Sequence, residues 1–258
     1  MEKGIIRDDK GYVSTIIFNR PEKRNALDAD ALFLFGDTIK AIEKEKQSRV
    51  IILRGTGKKV FTSGVDLAGG KKEFKRTIEA LDYSLNSMME YPLPIIAMIC
   101  GPAIGAGLDF AVISDFRISA DNARFGAPLV RLGRTYYYTA IERLTRLVGL
   151  AGSKEMLLTG KLIDAARAVE LGLVNRVVSL DEIESVIFDL AVELSEKTAP
   201  MAVKVTKYTI RKLFETTSIN SELGNDLHKL VEEINKSEDA GEGINAMLEK
   251  RKPVFKGR

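Results

Sequence analysis

A chain of 258 residues, 45% apolar and 29% charged, is long enough to bury one large core and has the composition of a soluble globular protein. Its net charge of +3 is small for this size and makes no electrostatic case for a nucleic-acid partner. One cysteine, Cys100, and one histidine, His228, exclude an intrachain disulfide and leave too few ligands for a Cys/His zinc site.

The first residues, MEKGIIRDDKGYVSTIIFNRP, pass into strand-like alternation with no signal-peptide core, and no apolar run reaches the length of a membrane span. A cytoplasmic protein is therefore expected. In chain order, residues 12–18 predict a strand, followed by the loop NRPEKRNAL. Asp28 then caps a helix with Leu32, Phe35, Ile39 and Ile42 on one face. VIILRG at 50–55 is a buried-type strand, KKVFTSG leads into a glycine turn, and residues 71–90 predict a helix. LPIIAMIC is a second buried strand, with a helix from Gly105 to Ser114. DFRISA and ARFGAP are further extended pieces.

Helices dominate from about Tyr137, with a strand at 176–180 and helix ends at Gly160 and Gly172. The unit reads as strand, strand, helix, which disfavours a doubly wound nucleotide fold. From Thr198 the pattern is helix after helix. There Val203, Ile210 and Leu213 are expected to pack inward, with Lys204, Lys207, Arg211 and Lys212 on a solvated face. His228 falls in this region on an amphipathic stretch, as a surface residue.

Two segments carry chemistry. GPAIGAGLD, at 101–109, is a glycine turn opening a helix, and FTSGVD, at 61–66, is a second glycine turn after an apolar strand. Backbone N–H groups at such turns are unpaired and can hold developing negative charge. Asp109 lies three residues after Ala106, on the same helix face. Proximity to the helix N-terminus is expected to favour its ionised form.

NRPEKRNAL, VFTSGVDL, GPAIGAGLDFAVISDFRIS, FGAP, RLTRLVG and AVELGLVNRVV stand in this order, and with the tail INAMLEKRKPVFKG the chain resembles the crotonase superfamily, the enoyl-CoA hydratase/isomerase family, over nearly its whole length. The resemblance implies an α/β fold, a crotonase-type spiral of ββα units over residues 1–197. A helical C-terminal region, 198–258, would build a homotrimer, with pairing into a hexamer as a further step. It implies acyl-CoA substrates, with coenzyme A entering as part of the substrate and no separate cofactor. The N–H groups of Val65 and Ala106 would form the oxyanion hole.

Family hydratases carry two glutamates. Here the first position is Asp109, shorter by a methylene or about 1.5 Å of reach, and the second is Leu129, which transfers no proton. The pattern therefore departs from two-glutamate hydration, and a single base that takes and returns a proton fits double-bond isomerisation. The loop LVRLGRTYYY offers an alternative. A family decarboxylase has a catalytic tyrosine there, which the resemblance places near Tyr136, with Arg131 or Arg134 to bind a leaving carboxylate.

Decarboxylation or thioester hydrolysis through Tyr136, and a non-catalytic CoA- or RNA-binding relative, stand as the other readings. For coenzyme A the resemblance implies Lys23, Arg24, Ala26, Ser63, Asp66 and Leu67. Phe255 and Lys256 would come from a neighbouring subunit. Asp115 and Arg117 read as structural, and Glu142 as a solvated helix acid.

Overall fold

The computed structural model describes residues 4–66, 71–215 and 221–258. β1 (Ile5–Lys10) and β2 (Val13–Phe18) form an antiparallel hairpin through Gly11, whose φ of 59° suits glycine. α1 (Ala29–Glu45) starts where Asp28 accepts the Ala31 N–H at 2.9 Å, and buries Leu32, Phe35, Ile39 and Ile42 as the periodicity predicts. β3 (Val50–Gly55) and α2 (Lys71–Glu90) follow.

The next two units each send a strand to both sheets before a helix. They are β4 (Ile95–Ile99), β5 (Ala103–Ile104) and α3 (Ala106–Ile113), then β6 (Phe116–Ala120), β7 (Arg124–Gly126) and α4 (Tyr138–Thr159). Gly149, at φ 71° and ψ 173°, interrupts α4. β8 (Ile163–Asp164), α5 (Ala165–Glu170), β9 (Arg176–Val178) and α6 (Ile183–Glu196) complete this body. α7 (Pro200–Glu215), α8 (Ser221–Asn235) and α9 (Glu238–Leu248) come after it.

The larger sheet runs β1-β2-β3-β4-β6-β9 and is parallel beyond the first hairpin. The smaller runs β5-β7-β8. Central parallel strands are buried on both faces, which explains their unbroken apolar runs. Ile51 and Leu53 of β3 join the main core with Phe18, Phe35 and Phe110, whose rings pack at 5.2–5.5 Å. Val50 and Ile52 face the other way, toward Ile183 and Ile187 of α6. β5 and β8, at two residues each, are too short to leave an alternation in the sequence.

The α7 face differs from expectation. Lys207 Nζ reaches Asp115 at 2.6 Å and the Leu93 carbonyl at 2.8 Å, and Arg211 Nη1 donates to the Met89 carbonyl at 2.8 Å. Ile210 and Leu213, expected inside, are 54% and 43% exposed. The physical reason is twofold: Asp115 and the Leu93 carbonyl draw Lys207, and the end of α2 draws Arg211. The last carbonyls of α2 have no partner within the helix, and cations meet them well. His228 is exposed on α8, as expected.

Asp115 and Arg117 are structural. Asp115 accepts the Ile95 N–H at 2.8 Å, and buried Arg117 donates to the carbonyls of Leu173, at 2.7 Å, and Ser114. Replacing Arg117 with Met strands those carbonyls, and a loss of about 2–4 kcal/mol is expected in urea unfolding.

Candidate active site

The first glycine turn is held by three neighbours. Thr62 pairs with Ala103 of the small sheet, its hydroxyl donates to the Asn25 carbonyl at 2.7 Å, and its oxygen accepts the Gly64 N–H at 3.0 Å. Leu27 then bridges Val65 in parallel. Leu27 N donates to Gly64 O at 2.9 Å, and Asp66 N donates to Leu27 O at 2.8 Å. A strand's successive amides point in opposite directions, so the Val65 N–H is turned away from Leu27.

The second turn is built on Gly105, at φ 57° and ψ −121°. Its N–H donates to Gly126 O at 2.9 Å, and its carbonyl accepts Leu108 N at 2.9 Å and Asp109 N at 3.3 Å. Neither the Val65 N–H nor the Ala106 N–H meets an acceptor among the described residues. The turns touch. A Cβ on Gly64, itself at φ 93°, would lie 2.7 Å from Ile104 O and 2.9 Å from Ala106 N. Only glycine allows this approach, and it brings the two amide-bearing turns together at the start of α3.

Asp109 sits one turn into α3, 4% exposed. Arg143 of α4 donates Nη2–H to its Oδ1 at 3.0 Å. The Tyr136 hydroxyl lies beside the same carboxylate and donates to Gly105 O at 2.7 Å. Burial raises the Asp109 carboxyl above its ordinary range, while Arg143 and Tyr136 pull the other way. Burial, the largest cause, thus moves the carboxyl in the direction opposite to the one the helix terminus alone implies. Burial, then Asp109, pushes the Tyr136 phenol well above its usual range, so it is a neutral donor.

Arg143 escaped the sequence reading. The available signal was a cation on the apolar stripe of α4, three residues after buried Ala140 and next to buried Leu144, where a charge needs a buried partner. Arg131 and Arg134, the expected carboxylate binders, point elsewhere. Arg131 donates to Thr159 O at 3.0 Å, and the Arg134 guanidinium lies 4.9 Å from the Phe74 ring centroid. Leu129 packs against the core, at the position where a second acid would stand. Tyr137 and Tyr138 are exposed, and Glu142 pairs with Arg146 at 2.7 Å on the surface of α4.

The loop before α1 is laced to the first glycine turn. Lys23 Nζ meets Asp66 at 2.8 Å and Arg20 approaches it at 3.5 Å, while the Arg24 carbonyl accepts the Ser63 N–H at 3.1 Å. Lys23, Arg24, Ala26, Ser63 and Asp66 therefore line one edge. Leu67 lies outside the described residues. Phe255 and Lys256 do not join that edge within the chain. Arg49, just before β3, donates to Phe255 O at 2.8 Å, and Asp239 holds the Lys256 N–H at 2.6 Å. The glycine turn lies beyond the other end of β3, about 20 Å along the strand.

Residues 8–258 match the family described as enoyl-CoA hydratase/isomerase. The chain belongs to the enoyl-CoA hydratase/isomerase family. It is 33% identical to the short-chain-enoyl-CoA hydratase of Clostridium acetobutylicum, with 98% of each chain covered. It is 34% identical to the methylmalonyl-CoA decarboxylase of Escherichia coli, with 95% of each covered. The solved structure of an enoyl-CoA hydratase from Bacillus anthracis superposes with a TM-score of 0.92 at 30% identity, covering 99% of this chain and 100% of that one. The chain has the crotonase fold and is an acyl-CoA-processing enzyme of lyase or isomerase type. No helix among the described residues is long and apolar enough to cross a membrane.

This geometry makes two substitutions informative. Gly64→Ala forces the turns apart and strains a positive φ, so about 1–3 kcal/mol of stability is lost together with most turnover, as read by thermal melts and steady-state assay. Arg143→Met removes the charge that lowers the Asp109 carboxyl, so its titration, followed by carboxyl carbon NMR, moves to higher pH than in the parent.

Proposed function

We propose that this enzyme forms a thioester enolate between the Val65 and Ala106 N–H groups and moves one proton with Asp109, shifting the double bond of an enoyl-CoA. The observation that carries this reading is a buried acid three residues beyond Ala106, with Leu129 where a partner acid would be needed for hydration. Each backbone donor aimed at the developing oxyanion supplies on the order of 3 kcal/mol.

Asp109 takes a proton from C2, the negative charge spreads to the thioester oxygen and C4, and the same proton returns at C4. A group that both takes and returns a proton works best with its pKa drawn toward the working pH. Burial moves Asp109 in that direction.

In this reading Lys23 and Arg24 meet the nucleotide phosphates, with Ala26, Ser63, Asp66 and Leu67 along the pantetheine. Phe255 and Lys256 are supplied by a neighbouring copy in a homotrimer. The distance of the tail from its own glycine turn supports that assignment.

A second reading is decarboxylation of a carboxyacyl-CoA. There the C–C bond electrons enter the same enolate, carbon dioxide leaves, and one proton quenches C2. It is favoured by Leu129, since no second acid is required, and by the likeness to the Escherichia coli decarboxylase.

Purified protein given crotonyl-CoA, a 3-enoyl-CoA and methylmalonyl-CoA separates these readings. Turnover of the 3-enoyl-CoA is expected, falling about 10²- to 10⁴-fold in Asp109→Asn. Its acid limb should lie above the ordinary aspartate value of about 3.9, with activity lost as pH falls through it. Fast crotonyl-CoA hydration that survives Asp109→Ala would sink the role of that acid. Turnover of methylmalonyl-CoA alone selects the second reading.

A further inference from the structure

The Gly105 carbonyl is unusually well supplied. It accepts the Leu108 N–H at 2.9 Å, the Asp109 N–H at 3.3 Å and the Tyr136 hydroxyl at 2.7 Å. That carbonyl and the Ala106 N–H belong to one peptide unit. In a trans peptide the two point in opposite directions, and the described chain contains no cis bond. Tyr136 therefore grips the peptide from behind while the Ala106 N–H faces forward with no acceptor among the described residues. Tyr136 belongs to the main core, lines one small cavity with Ala127, Leu129 and Ile141, and is only 8% exposed. Its hydroxyl lies 2.7 Å from Gly105 O and also meets the Asp109 carboxyl, so the two acceptors share one O–H.

We infer that Tyr136 is a positioning residue, which orients and polarises the Gly105–Ala106 peptide so that the Ala106 N–H becomes a stronger and better-fixed oxyanion donor. Hydrogen bonds in series strengthen one another, because a donor on the carbonyl withdraws electron density from the N–H of the same unit. A fixed donor also needs no reorganisation when charge develops. This inference rests on Val65 and Ala106 being the oxyanion donors, and it replaces direct contact between Tyr136 and substrate. The hydroxyl acts on the peptide behind the hole, and the carboxylate moves the proton.

The test uses an aromatic enoyl-CoA of the cinnamoyl type, whose absorption moves to the red when its thioester carbonyl is polarised. Bound to the parent enzyme, the chromophore is expected to shift red. In Tyr136→Phe that shift shrinks and kcat falls about tenfold, while KM and free-CoA affinity stay within about twofold. Difluorotyrosine at position 136, a stronger donor of the same shape, enlarges the shift, and this arm stands even if the Phe variant does not fold. No red shift in the parent enzyme overturns the oxyanion hole itself. A parent shift retained unchanged in both variants overturns only the positioning role, and retention with lost turnover returns Tyr136 to direct contact with substrate.

Discussion

The contact between Gly64 and the Ala106 amide is the constraint on which the rest of the structure depends. Two loops from different ββα units can present their amides together only if one has no side chain at the point of contact, and a Cβ there would sit 2.9 Å from the amide nitrogen. Everything around the pair keeps that approach in place. Thr62 ties the first turn to the small sheet, Leu27 ties it to the loop before α1, and Gly126 ties the second turn to β7. The two-sheet arrangement, with two units crossing from the large sheet to the small before their helices and Thr62 bridging Ala103 from the unit before them, brings both turns together.

Much of this was legible in the sequence because it rests on local rules. The apolar runs at 50–55 and 95–99 had to be strands buried on both faces, and Asp28 had to cap the helix that begins at Ala29. A glycine before Val65 and another before Ala106 marked two turns with unpaired amides. The rest was not legible, because it came from tertiary competition. The helix-end argument favours an ionised Asp109, but it could not weigh the burial that dominates in the fold. Arg143 was hidden because a cation every few residues along α4 looks like ordinary surface, and only the packing of that face reveals which arginine is enclosed. Arg131 and Arg134, close in sequence to the FGAP turn, were drawn away by a helix end and by an aromatic ring.

Asp109, Arg143 and Tyr136 form a small network in which no member is independent. Removing the arginine leaves a buried carboxylate facing a phenol. Removing the phenol leaves a carbonyl with two donors instead of three. Such groups have non-additive effects, so single substitutions should not be summed into a partition of catalytic energy.

α7 is inside out. Lys207 and Arg211 are spent on the carbonyls of Leu93 and Met89 and on Asp115, while Ile210, Leu213 and Phe214 face outward. A soluble helix ordinarily reverses that arrangement. Shortening the chain ahead of Pro200 would therefore strip exposed apolar surface together with the buried Ala246 and Asp239 of α9. The remaining ββα body would lose the Arg211 donor at the end of α2 and the Lys207 ammonium that meets Asp115 beside the first residue of β4.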